Sequence, residues 1–176
     1  DGIALAYAAA HQDEIELLAV TTFAGNQTID KVTKNALELV DFYGLKVPVA
    51  RGQERPLVKE VIHAEEFHGE TGLGHCVLPE TGTKAASDNA VFFIREILDD
   101  LPEGQQVTFI ETAPMTNLAL LLRVFPEVKD KIRRIVFIGG AVKGGNVTPA
   151  AEFNIYADPE AGKIVLEAGI PRVMCG

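Results

Sequence analysis

Two rhythms of apolar residues run along this chain. Residues 1–11, "DGIALAYAAAH", are apolar almost all round, which predicts a buried helix rather than an amphipathic one. "IELLAVTTF" at 15–23 is β-branched and apolar and ends in "AGN", the mark of a buried parallel strand and its exit loop. Over 28–43 the spacing turns helical. Ile29, Val32, Ala36, Leu39, Val40 and Tyr43 share one stripe, and Gly44 stops it. "VPVA" at 47–50 is a short strand. Residues 87–99 predict a helix with Ala90, Phe93, Ile94, Ile97 and Leu98 on one face and Ser87 as its cap. Strand "VTFIET" (107–112) is followed by helix "MTNLALLLRVF" (115–125), and Pro126 opens another short helical stretch. "RRIVFIGG" (133–140) reads as a buried strand. "EFNIYADPEAGKIVLEAG" passes from loop into helix, with Pro159 near its first turn, and "RVMCG" is one more strand.

Alternating strands and helices predict an open, doubly wound α/β fold: a mostly parallel sheet with helices on both faces, in one domain over 1–176. Residues 51–86 break the rhythm. They are rich in Gly, Pro, Thr and His and too long for a plain connection, so they are expected to hold a functional loop or lid.

Composition narrows the function classes. Apolar residues make up 47 % of the chain and charged residues 23 %, the profile of a globular protein. Sixteen Lys and Arg stand against 25 Asp and Glu, for a net charge of −9. An acidic surface argues against nucleic acid or a membrane as partner and leaves a small neutral ligand open. Cys76 and Cys175 form no CxxC pair and are expected to be free thiols in a reducing, cytoplasmic setting.

In sheets of this kind ligands bind beyond the carboxyl ends of the strands. The three exits, "AGNQT", "TAPMTN" and "GGAVKGGNVTPAAEFN", offer Asn26, Thr112, Asn117, Asn146, Glu152 and Asn154. Amides and a carboxylate dominate, without the cationic cluster or glycine-rich fingerprint of a phosphate site. Such groups suit hydroxyls, because each carboxamide can donate to one and accept from another. Each residue also has a plainer role. Asn26 could cap the helix near Thr28, Thr116 and Asn117 the helix at 115, Glu152 could be a solvated charge and Asn154 a turn residue. His68 and His75 fall in the long segment at a spacing that is not a usual zinc pattern; the loop could be ordinary surface or could close over a ligand.

Several blocks together resemble the inosine–uridine-preferring nucleoside hydrolase family: "DGIALAYA", "TTFAGNQT", "HGETGLG", "TAPMTNLALLL", "IVFIGGA" and above all "GNVTPAAEFNIYADPEA". The resemblance covers essentially all 176 residues and corresponds to about the first half of a family member. It implies that Asp1 is the last aspartate of a DxDxxxDD cluster and a ligand of a bound Ca²⁺, and that the carbonyl of Thr112 also reaches the metal. It implies that Asn26 contacts the ribose near the metal-bound water. Asn146, Glu152 and Asn154 would hold the ribose hydroxyls beside Phe153, and His68 would sit in a loop near the base. Asn26 and Asn154 are the two assigned to catalysis.

The chemistry these roles imply is hydrolysis of a ribonucleoside to ribose and free base. Calcium takes roughly six to eight oxygen ligands, and the breaking N-glycosidic bond gives the ribose oxocarbenium character. The implied cofactor is Ca²⁺, the partner a small ribonucleoside, the setting cytoplasmic nucleoside salvage, and the assembly a homo-oligomer. Two departures count. The earlier aspartates of the cluster and the family's C-terminal half are not in this sequence, so the chain is expected to be a fragment, inactive alone. Ala113 and Pro114 stand where many members carry glycine-type residues. The competing expectations are a non-catalytic nucleoside or ribose binder of the same fold and an unrelated phosphosugar protein.

Overall fold

Parallel β-structure forms twice in the computed structural model, which describes all 176 residues. One pairing lies in a unit made of Asp1–Glu54 and His63–Ala90, the other in a unit made of Arg55–Ile62 and Val91–Gly176.

The first unit carries α1 (Gly2–Ala10), β1 (Val20–Thr21), α2 (Ile29–Phe42), β2 (Val49–Ala50) and the short α3 (Glu65–His68). β1 and β2 are parallel, with Val20 opposite Val49 and Thr21 opposite Ala50. Ala36 and Val40 of the stripe predicted on α2 pack with Leu45, Val49 and Leu37, which the stripe did not include. The strand expected over 15–23 shortens to two residues. A strand lasts only as long as its partner, and "VPVA" offers only Val49 and Ala50 for pairing.

α1 corrects the expectation of burial: none of its residues is buried. Leu5 and Ala9 pack against the α2 core and Gly2 approaches Leu39, but Ile3 is 87 % exposed and Tyr7 59 %. Tyr7 stacks on His11 instead, with ring centroids 4.0 Å apart. A uniformly apolar helix says that it can be covered all round. It does not say that each side has something to cover it.

The long segment after β2 is ordered by α2. Gln27, two residues before α2 begins, and Lys31 and Asn35 on the helix donate in step to three consecutive carbonyls, those of Gly69 (3.1 Å), Glu70 (2.5 Å) and Thr71 (2.7 Å). Gly72 follows with φ +82° and lies so close to α2 that a Cβ would sit 3.2 Å from Asn35 Nδ2 and from Gln27 Cγ. Ser87 does not cap a helix directly. It bridges to Ala50, and its Oγ accepts from the Asn89 N–H, one residue before α4 (Ala90–Asp100) begins.

The second unit runs α4, β3 (Val107–Glu111), α5 (Thr116–Val124), a 3-10 helix (Pro126–Lys131), β4 (Ile132–Ile138), α6 (Phe153–Ala157), α7 (Pro159–Leu166) and β5 (Arg172–Cys175). The strands are parallel in the order β3-β4-β5, with Ile110 beside Val136 and Val136 beside Val173. Both crossovers step in the same direction. With the usual right-handed connection this puts α5 and α7 on one face of the sheet. The core is on that face: Leu118, Leu121 and Leu122 of α5 and Ala161 and Val165 of α7 pack with Ile135 and Phe137 of β4 and with Ile94 and Leu98 of α4. β4 is accordingly buried at alternate positions rather than throughout, and on the opposite face Ile110 is 60 % exposed.

Candidate active site

In the second unit the expected site residues assemble around the N-terminus of α6. Glu152 is the N-cap of that helix. Its Oε2 accepts from the backbone N–H of Asn154 (3.0 Å), of Ile155 (3.3 Å) and of Gly140 (3.1 Å), which has φ +74°. The carboxylate therefore ties the loop after β4 to the helix and complements the helix dipole. The solvated-charge alternative for Glu152 does not hold.

Asn154 is 8 % exposed. Its Nδ2 donates to the carbonyl of Ile138 at the end of β4 (2.8 Å) and to that of Thr112 just beyond β3 (3.4 Å). One carboxamide thus bridges two strand ends. Both bonds use the nitrogen, so Oδ1 is the atom left for a ligand. Thr112 enters the cluster through its carbonyl, the same atom that the family resemblance makes a metal ligand.

Asn146 joins by its Oδ1, which accepts from the Phe153 N–H at 2.9 Å. The loop around it closes on itself, since Asn146 N and Val147 N both donate to the Ala151 carbonyl at 3.1 Å. The closure leaves no room at Gly145, where a Cβ would meet Ala151 backbone atoms at 2.2–2.4 Å. Phe153 is the first residue of α6, between Glu152 and Asn154, and is half-buried. Glu111, last in β3 and next to Thr112, has its carboxyl pushed up to about 7 by burial.

In the first unit Asp1 stands before α1, and its side chain makes no cap to that helix. Its Oδ2 instead accepts from Asn26 Nδ2 at 3.3 Å. Asn26 does not cap α2, whose N-cap position is Thr28. His68 ends α3, where its carbonyl accepts from Gly74 N at 2.8 Å; no hydrogen bond links it to Asp1 or Asn26. His75 is exposed in the same segment.

Asp1 and the Thr112 carbonyl are oxygen donors of the kind a hard cation takes. Asp1 lies in the first unit and Thr112 in the second, and no group of three or more His, Cys, Asp or Glu side chains gathers in the structure. Both cysteines are free and exposed, and no helix is long and apolar enough to cross a membrane.

Asp158 was missed from the sequence. It is fully buried at 0 % exposure, where its carboxylate accepts from Thr116 Oγ1 (2.6 Å), Leu57 N (3.0 Å) and Ala161 N (3.0 Å). The signal was present, since an Asp directly before Pro159 is a helix-start signature. Lys59, two residues after Leu57, donates to the Tyr156 carbonyl and lies 3.5 Å from the centre of its ring.

A profile described as inosine-uridine preferring nucleoside hydrolase matches residues 1–176. The chain belongs to that family. The pyrimidine-specific ribonucleoside hydrolases RihA of Salmonella typhimurium and Photobacterium profundum are each 48 % identical to it over 177 aligned residues; the match takes in 100 % of this chain and 56 % of each relative. The chain thus spans about half the length of the curated relatives it matches. Among solved structures, the purine-preferring ribonucleoside hydrolase from Gardnerella vaginalis superposes with a TM-score of 0.88 at 33 % identity, over 98 % of this chain and 56 % of that one. The plant nucleoside hydrolase PpNRh1 does so with a TM-score of 0.89, also at 33 % identity, over 99 % and 56 %. The α/β class read from the alternation of elements is the fold of this family.

Proposed function

We propose that the protein hydrolyses the N-glycosidic bond of ribonucleosides to ribose and free base. The observation that carries this is the cluster at the start of α6, where Glu152, Asn154 and Asn146 meet the Thr112 carbonyl in a chain 48 % identical to ribonucleoside hydrolases. Its polar atoms are amide and carboxylate groups fixed by backbone hydrogen bonds, so they need little rearrangement to receive ribose hydroxyls. In this proposal Asn154 Oδ1 accepts from one hydroxyl, and Glu152 and Asn146 orient the sugar beside Phe153. Asn26, paired with Asp1, takes the ribose side in the first unit, and His68 the base side. Water adds to the anomeric carbon as the bond to the base nitrogen breaks, and the base leaves with a proton. Fixed sugar contacts contribute by holding the anomeric carbon where positive charge develops.

Calcium is the metal this reading assigns to the Asp1 carboxylate and Thr112 carbonyl. No step above depends on it. A cytoplasmic salvage role and a homo-oligomer rest on the family resemblance, and light scattering tests the second. Uridine and cytidine are the first substrates to try, given the pyrimidine-specific relatives, with inosine beside them. Release of reducing sugar from any of the three by the intact protein supports the proposal. Its absence from all three, with calcium present, refutes it. A second reading is ribose or nucleoside binding without turnover. Calorimetric binding of ribose without sugar release would select it.

A further inference from the structure

Asn154 and Glu152 sit at one end of α6, and the other end of that helix runs directly into Asp158. There the buried carboxylate holds three separate stretches of chain: the first turn of α7 through Ala161 N, the 55–62 segment through Leu57 N, and the start of α5 through Thr116 Oγ1. α5 begins four residues after Thr112. The bond to Thr116 therefore connects the loop bearing the Thr112 carbonyl to the helix bearing Asn154. The Asn154–Thr112 contact itself is long, at 3.4 Å, and too weak to fix their separation alone. The hydroxyl bond to the Asp158 carboxylate, at 2.6 Å, is the stronger restraint.

We propose that Asp158 is a positioning residue for ribonucleoside hydrolysis, setting through Thr116 the offset between the Thr112 carbonyl and the ribose-facing atoms of α6. This rests on the ribose reading of the α6 cluster. Displacement of a reacting group by a fraction of an ångström lowers turnover more than binding, because contacts specific to the transition state are lost first. Removing the carboxylate would strand the buried Ala161 N–H and the part-buried Leu57 N–H, so Asp158→Ala risks unfolding. Thr116 is the better handle. Thr116→Val keeps the side chain's shape and removes only the hydroxyl; Thr116→Ser keeps the hydroxyl and removes only a methyl.

Each variant of the intact protein is assayed for ribose release with its folded fraction measured by circular dichroism. Thr116→Val is expected to lower kcat on the order of ten- to a hundredfold with KM changed less than about threefold. Thr116→Ser is expected to stay within about threefold of wild type in both. A Thr116→Val enzyme with wild-type kcat per folded molecule, or a Thr116→Ser enzyme that falls as far, overturns the proposal. Should wild type itself release no ribose, the ribose reading fails, and amide exchange at Asn154 and Ile155 decides the clamp. Faster exchange in Thr116→Val but not in Thr116→Ser supports it, and unchanged exchange in both overturns it.

Discussion

Glu111 provides a direct test of the electrostatics beside the cluster. It ends β3 and shares a face of the sheet with Phe137, its register partner. Burial pushes its carboxyl from 4.5 up to about 7. The acid therefore binds its proton more tightly in the folded protein than in the unfolded chain. Below about pH 4.5 both forms are protonated and the position costs nothing. As pH rises from 4.5 to 7 the unfolded chain gives up its proton first and stability is lost; above 7 the loss is constant. At about 1.4 kcal/mol for each tenfold in proton affinity, the full interval is worth about 3 kcal/mol. Part of the residue stays exposed, and water screens that part, so about 1–3 kcal/mol is expected. Glu111→Gln keeps the shape and cannot ionise. In urea denaturation its stability should match wild type near pH 4.5 and exceed it by that amount at pH 8. A difference that is the same at both values, or larger in acid, would show that burial does not control this carboxyl.

Asn154→Ala should abolish ribose release and also cost about 1–3 kcal/mol in denaturation, because it strips the donor from the Ile138 and Thr112 carbonyls; an unchanged midpoint would contradict the bridging role. Leu121→Ala, at a fully buried α5 position, should cost about 2–5 kcal/mol, read by the same method. Gly72→Ala meets both a positive φ and the Asn35 amide. It should cost roughly 1–2 kcal/mol and hasten proteolysis within 69–76; wild-type cleavage rates would refute the close fit.

The sequence was most informative where one helix face or one strand exit decides the outcome. The α2 stripe held two members of its core, Ala36 and Val40, and the exits of β3 and β4 held Thr112, Asn146, Glu152 and Asn154, which the fold brings together. Composition could not show which donors the backbone would consume. Asn154 spends its amide nitrogen on two carbonyls, and Glu152 spends Oε2 on three N–H groups. The clamp at Asp158 was hidden differently. Its partners lie 101 and 42 residues away in sequence, and no local pattern reports contacts at such separation. α1 failed for want of tertiary information, since apolarity on every side carries no direction.

Gln27 and α2 hold the segment at 69–71 through its carbonyls. Carbonyls are common to every amino acid, so this anchorage asks nothing of the side chain at residue 70. His68 and Glu70 can be exchanged while the loop keeps its seat, provided glycine remains at 69 and 72, where φ is +73° and +82°. A surface held by its main chain is free to vary its chemistry, and relatives on this scaffold could retune the neighbourhood of His68 by single substitutions without rebuilding the helix beneath it.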